Sequence, residues 1–322
     1  MRDIYITNPG TFRRKDNTLF FTVAEKDTII PVNEVLSIHA LSDINFNSDV
    51  LEFLGKCNIP LHLYDYLGNY RGSFTPKGEY PSGNVLISQV NHYTNPRLRI
   101  ELAREIICSS IHNIRKTIMQ YSLPTENLEK YLSKAERCTQ IEELMGYEAN
   151  SRKYYYSQFN KIIKESGFEF LKREIRPPTD PINALISFGN TLLYNTVLNE
   201  IFKTPLDPRI SYLHEPFERR FSLNLDLADI FKPLTVDRVI FASINRGTLT
   251  ESDFEKETDY CFLSKEGRKK FIRTFDERLS ETIKHPTLKR SVSYRYLIRL
   301  ECYKIMKHLL EEKPYRGFRM FW

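Results

Sequence analysis

Closely spaced cysteines are missing from this chain. Its five cysteines, Cys57, Cys108, Cys138, Cys261 and Cys302, lie far apart and form no CxxC and no mixed Cys/His pair. That spacing excludes a zinc cluster or a disulfide framework and leaves reduced, mostly buried thiols. No apolar run of about 18 residues occurs. The N-terminus MRDIYITNPGTFRRKDN lacks the charged start and long apolar stretch of a signal peptide, so a cytosolic protein is the expectation. Internal repeats, heptads and low-complexity tracts are also missing. What is present is a 322-residue chain, 41% hydrophobic and 13% aromatic, able to bury at least one large core and to form two domains. The formal net charge of +6 leans towards anionic partners such as nucleic acid without deciding the matter.

The first seventy-odd residues read as strands separated by turns. YIT, GTFRR, LFFTV, TIIPV and EVLSIHAL are rich in β-branched and aromatic residues, with KDN and EKD as turn chemistry between them. SDVLEFLGK reads as a short helix capped by Ser48 or Asp49 and ended by Gly55, before IPLHLYDY and YRGSF return to strand. From about residue 85 the period changes. Leu98, Leu102, Ile106, Ile107, Ile111, Ile114 and Ile118 recur at intervals of three and four, one apolar stripe along a long helix opened by TNP. The fold class is therefore α+β: a β-rich domain over 1–76, a Pro- and Gly-bearing linker over 77–84, and an all-helical domain over 85–322.

Three stretches could carry chemistry. In LNLDLADIFKP, Asp226 and Asp229 are i,i+3 neighbours whose carboxylates can converge beside an apolar stripe. Their repulsion would raise one pKa or call for a cation, and Pro233 should kink or end the helix one turn past Asp229. His214 precedes them in the loop LHEP. In LMGYEANSRKYYYSQF, Glu148 shares a helix face with Arg152, and Gly146 leaves room for another backbone; the plain reading of Glu148 and Arg152 is an i,i+4 ion pair. In REIRPPTDPINALISFGN, Asp180 can cap a helix with Pro181 at its first position. Composition and spacing by themselves stop at a two-domain cytosolic protein with a possible metal site.

Taken together and in order, MGYEANSRKYYYSQF, RPPTDPINALISFGNTLL, YLHEPFERRFSLNLDLADIFKPLTVDRVIF and YKIMKHLLEEKPYRGFRMFW resemble the Cas1 family of CRISPR-associated integrases, closest to the branch of type I-B systems. GTFRRKDNTLFF and VLEFLGKCNIPLHLYDYLGNYRGSF extend the likeness through the first domain. The resemblance implies a divalent metal ion, Mn²⁺ or Mg²⁺, held by Glu148, His214 and Asp229 with Asp226 as a supporting carboxylate. It implies an endonuclease and integrase that joins the 3′-hydroxyl of short protospacer DNA to a CRISPR repeat phosphodiester. It further implies a homodimer formed through the β-rich head and a heterohexamer with a Cas2 dimer, and it leaves open the need for an accessory such as Cas4. Candidate DNA phosphate contacts are Arg152, Lys153, Arg173, Arg176, Arg219, Arg220 and the basic segment 265–273. A DNA-binding scaffold that has lost its chemistry and an unrelated phosphoester hydrolase are the competing readings.

Overall fold

The computed structural model describes residues 2–65, 67–76, 82–174, 177–216, 221–257 and 260–321. Arg176, Arg219, Arg220 and most of the expected linker lie outside the described residues. The chain divides into two compact units, Met1–Tyr80 and Pro81–Trp322. In the first, the alternating runs form β1 (Arg2–Ile6), β2 (Gly10–Lys15), β3 (Thr18–Val23), β4 (Lys26–Ile30), β5 (Val35–Ala40), β6 (Ile44–Asn45), β7 (Leu61–Tyr64) and β8 (Tyr70–Phe74), with α1 (Ser48–Lys56) before β7. They make two four-stranded sheets, ordered β1-β5-β7-β8 and β4-β3-β2-β6. Period-two patterning explains the core: Leu19 and Phe21 point inwards from β3 and join Phe12, Ile38, Leu54 and Leu61. Asn47, rather than Ser48 or Asp49, caps α1, its side-chain oxygen accepting from the Val50 amide at 3.2 Å. The helix runs through Gly55 to Lys56.

The second unit contains α2 (Gly83–Thr94), α3 (Pro96–Met119), α4 (Glu126–Ala135), α5 (Ile141–Tyr156), α6 (Phe159–Ile162), α7 (Pro181–Phe202), α8 (Leu223–Phe231), α9 (Val236–Asn245), α10 (Lys265–Ser280) and α11 (Tyr294–Leu309). It is not wholly helical. Antiparallel pairs form between β9 (Phe254–Glu257) and β10 (Tyr260–Leu263), and between β11 (Thr282–Lys284) and β12 (Ser291–Ser293). These runs of three or four residues are too short to show a period in sequence, and tertiary packing of Cys261, Leu263 and Val292 decides them.

Cap chemistry sets the two long helices. Asn95 accepts from the Arg97 and Leu98 amides at the start of α3, with Pro96 at its first position; Asp180 accepts from the Asn183 amide at 2.8 Å and Pro181 opens α7. Helix α7 is buried almost all round, the pattern of a central helix. Gly189 lets α9 approach it: a Cβ there would lie 2.5 Å from Val236 Cγ1.

Every residue of α8 is buried, and its end is held by α3. Pro233 has no N–H to give the Asp229 carbonyl, four residues back. The Ser110 hydroxyl donates to that carbonyl instead, at 2.8 Å. Asn113 Nδ2 donates to Ile230 O at 2.9 Å and Phe318 O at 3.0 Å, while its Oδ1 accepts from Met320 N at 2.8 Å. The C-terminal segment thus packs on the body, with the Phe318 ring stacked on Phe231. Asn113→Ala would strand three buried backbone groups, and we expect it to cost about 3 kcal/mol or more of unfolding free energy, readable as a lower urea midpoint. A change within about 0.5 kcal/mol, the size of an ordinary surface substitution, would refute this tie.

Candidate metal and phosphoryl-transfer site

Asp226 and Asp229 do not converge. The fully buried Asp226 turns back onto the 212–214 loop: its Oδ2 accepts from the Tyr212 and Leu213 amides at 2.8 and 3.0 Å, and its Oδ1 from the His214 amide at 3.2 Å and from His214 Nδ1 at 2.7 Å. The loop therefore folds around the carboxylate as around an anion. With Nδ1 donating to Asp226, the lone pair of His214 lies on Nε2. Burial disfavours the charged ring, but the Asp226 bond outweighs it, and the His214 pKa is raised, with Asp229 adding to the rise. His214 and Asp229 thus interact electrostatically.

Asp229 faces the other way, towards α5. Arg152 bridges two helices: its Nε donates to Glu148 Oε1 at 2.8 Å and its Nη2 to Asp229 Oδ1 at 3.0 Å. Lys232 adds a second cation, Nζ to Asp229 Oδ1 at 2.6 Å, and lies over the Tyr194 ring. Glu148 is 24% exposed and Asp229 only 3%. Burial by itself would raise the Asp229 pKa; Lys232 and Arg152 overcome it and hold the group at about 2. Burial pushes Asp237, in the first turn of α9, up to about 6, with Arg152 and a hydrogen bond from Tyr155 partly offsetting the rise.

Among the described residues no three His, Cys, Asp or Glu side chains form a ready cluster for a metal ion. The donors nevertheless fit one. Glu148 and Asp229 come from separate helices and already share a single cation, the Arg152 guanidinium, while His214, with its Nδ1 on Asp226, keeps a lone pair on Nε2 and interacts electrostatically with Asp229. Two carboxylates and an imidazole suit Mn²⁺ well and Mg²⁺ adequately.

The proposed phosphate contacts divide. Arg152 is internal, and Arg173 is pinned to Asn183 Oδ1 at 2.8 Å and Ser187 Oγ at 2.9 Å, with burial lowering its pKa. Both serve the protein's own polar atoms rather than a surface. Lys153 is exposed. In the segment 265–273, Lys265, Lys270 and Arg273 are exposed, with Lys270 paired to Asp253 and Arg273 to Glu277. Gly146 has open space around it rather than a neighbouring backbone. Sequence reasoning missed Lys232; its signal was the Asp–x–x–Lys spacing, which puts the ammonium one turn from Asp229.

A profile of the family described as CRISPR associated protein Cas1 matches residues 4–277. A CRISPR-associated endonuclease Cas1 of Thermodesulfovibrio yellowstonii is 45% identical over an alignment of 326 residues that covers 100% of this chain and 100% of that protein. One from Clostridium perfringens is 44% identical, covering 100% of this chain and 99% of its own length. The solved structure of a Cas1 protein from Thermotoga maritima superposes with a TM-score of 0.92 at 38% identity, covering 99% of this chain and 100% of that one. Full-length identity of this size fixes both the fold and the lineage. The chain belongs to the Cas1 family of CRISPR-associated proteins.

Proposed function

We propose that the protein is a divalent-metal-dependent DNA endonuclease and integrase of CRISPR adaptation, which joins the 3′-hydroxyl of a short DNA duplex to a phosphodiester at a CRISPR repeat. The observation that carries this reading is the sharing of one cation by Glu148 and Asp229, from two helices, in a chain aligned end to end with Cas1 endonucleases. Glu148, Asp229 and His214 Nε2 would hold Mn²⁺ or Mg²⁺. When bound, the ion supplies Lewis-acid polarisation of the phosphoryl oxygen and offsets charge in the transition state.

The chain's own residues do the rest. Asp226 fixes the imidazole's tautomer and direction, so that His214 acts as a ligand rather than a general base. Lys232 adds fixed positive charge where phosphoryl charge grows. Lys153 and the exposed cations of α10 are the remaining candidates to grip backbone phosphates, Arg152 and Arg173 being engaged internally. No protein nucleophile is required, since the DNA hydroxyl attacks. The partners of this reading are protospacer and leader-repeat DNA, a second copy docked through the β-rich head, a Cas2 dimer and an accessory such as Cas4. A solved assembly titled a Cas6-RT-Cas1–Cas2 complex contains a chain of the same fold.

The test is Mn²⁺-dependent joining of a labelled duplex to a plasmid bearing leader and repeat, with Cas2 present. Wild type is expected to join, and Glu148→Gln to lose more than about 100-fold of the rate, since even an outer-sphere partner of a metal ligand is worth roughly 10–100-fold, while DNA binding persists. Undiminished joining by Glu148→Gln would remove the metal from this site. A wild type that binds DNA but never joins it would favour the scaffold.

A further inference from the structure

The turn that carries His214 is held by two charged groups of opposite sign. Asp226, on α8, accepts from its amides and from the imidazole. Arg99, near the start of α3, serves its acceptors. The Arg99 Nε donates to Tyr212 O at 2.8 Å and its Nη2 to Glu215 Oε1 at 2.6 Å, so one guanidinium fixes the chain both before and after His214. Tyr93 of α2 completes the arrangement: its hydroxyl donates to Glu215 Oε2 at 2.8 Å, and the guanidinium lies over its ring at 4.7 Å. The Ser211 hydroxyl closes the turn itself, donating to His214 O at 2.5 Å.

Two features set this apart from an ordinary surface ion pair. The Arg99 side chain is 15% exposed, against 50% for Glu215, and its planar fork spends one arm on a backbone oxygen and the other on a carboxylate, a spacing that a lysine ammonium cannot reproduce. The second feature is the helix on which Arg99 stands. Ser110, about three turns further along α3 and on the same face of an ideal helix, donates to Asp229 O at 2.8 Å. One helix therefore holds the His214 loop at one point and the Asp229 backbone at another. An α-helix of this length is a stiff spacer, so the two attachments fix how far apart the loop and that backbone stand.

We propose that Arg99 is a positioning residue of the metal site: its fork registers the His214 loop against α3 and so sets where His214 Nε2 stands relative to Asp229. The inference rests on His214 and Asp229 being metal ligands. The division of labour is between orientation and place. Asp226 decides which ring nitrogen keeps its lone pair, and Arg99 decides where the loop carries that nitrogen, with Tyr93 and Glu215 steadying the fork. Without Arg99 the tautomer persists and the loop shifts, so the ion keeps its carboxylates and loses its imidazole.

The experiment is Mn²⁺ binding by titration calorimetry, together with the electron spin-echo modulation that a coordinated imidazole nitrogen imposes on the bound ion. It uses the full chain carrying Arg99→Gln, Arg99→Lys, Glu215→Gln, the Arg99→Gln and Glu215→Gln pair, or His214→Ala. Arg99→Gln should weaken Mn²⁺ binding by about tenfold, the low end of what an orienting partner of a ligand is worth. It should also strip the nitrogen modulation from the bound ion, while the imidazole ¹⁵N shifts of the metal-free protein keep the wild-type tautomer. Arg99→Lys, one point charge for two acceptors, should fall between wild type and Arg99→Gln. Glu215→Gln should weaken binding by less, and the double variant should be no worse than Arg99→Gln, because residues that act through one another are not additive. Wild-type affinity and modulation in Arg99→Gln would make the fork a mere surface tie and overturn the proposal, as would weaker binding with the nitrogen modulation retained. If Arg99→Gln fails to fold, Glu215→Gln decides at its exposed position, and wild-type affinity there overturns the proposal. Wild-type Mn²⁺ binding by His214→Ala would instead overturn the ligand assignment, and the positioning role with it.

Discussion

Asp229→Asn is expected to abolish strand joining and to weaken the fold at the same time, whereas Glu148→Gln loses the joining with little change in stability. The difference follows from burial. Asp229 is the common partner of Lys232 and Arg152, at 2.6 and 3.0 Å, and both cations are largely buried. Removing its charge leaves two interior cations short of a counter-ion, a change that costs about 3–5 kcal/mol when a buried pair is broken. Glu148 is partly exposed, and Arg152 keeps its bond to Asp229 when Glu148 is neutralised. The pH dependence has a definite sign. A carboxylate whose folded-state pKa lies at about 2, below its ordinary 3.8, contributes stability that is present above the unfolded value and lost as pH falls through the folded one. The gap in unfolding free energy between wild type and Asp229→Asn should therefore be full at pH 7 and close between about pH 4 and pH 2. Urea titrations at pH 7 and near pH 2 measure it, and equal midpoints for the two proteins at pH 7 would remove Asp229 from the charge network.

Asp226→Asn should be nearly as damaging to metal binding, by a different route. The carboxylate accepts four hydrogen bonds, from three backbone amides and from His214 Nδ1. An amide has one oxygen, so its nitrogen must face either the loop amides or the imidazole. If the nitrogen faces His214, Nδ1 becomes the acceptor and the proton moves to Nε2, which then has no lone pair for a metal. If it faces the loop, the Tyr212 and Leu213 amides lose their acceptor and the turn that carries His214 loosens. Either arrangement should weaken Mn²⁺ binding by roughly 10–100-fold, the usual cost of losing the group that orients a metal-bound histidine. Calorimetry with Mn²⁺ and the imidazole ¹⁵N shifts of His214 separate the two routes. Wild-type Mn²⁺ affinity together with an unchanged tautomer would show that Asp226 serves the loop alone.

Much of the architecture was legible because it is written in local chemistry. The strands of the first unit follow alternation, α3 follows its apolar stripe, and Asn95–Pro96 and Asp180–Pro181 mark helix starts by side chains that reach only three residues. Pro233 ends α8 as a missing N–H requires. The short pairs β9–β10 and β11–β12 were not legible, since three or four residues carry too little pattern to outweigh their helical surroundings.

The candidate site divides in the same way. Glu148, His214, Asp226 and Asp229 could be named from the chain because their types and order resemble those of a family, and the i,i+3 and i,i+4 spacings bring neighbours to one face of a helix. What spacing could not decide was direction. Asp226 and Asp229, three residues apart, turn to different partners because one is enclosed by the 212–214 loop and the other meets α5. Arg152 and Arg173, which read as surface cations, are drawn inwards by oxygens from other elements. The sequence by itself determined the longer elements, the caps of α3 and α7 and the chemical types at the site, all of which depend on residues within a few positions of one another. Only the tertiary structure decided which charges meet, because the balance of desolvation against pairing is set by groups that are 77 positions apart in the chain, as Arg152 and Asp229 are.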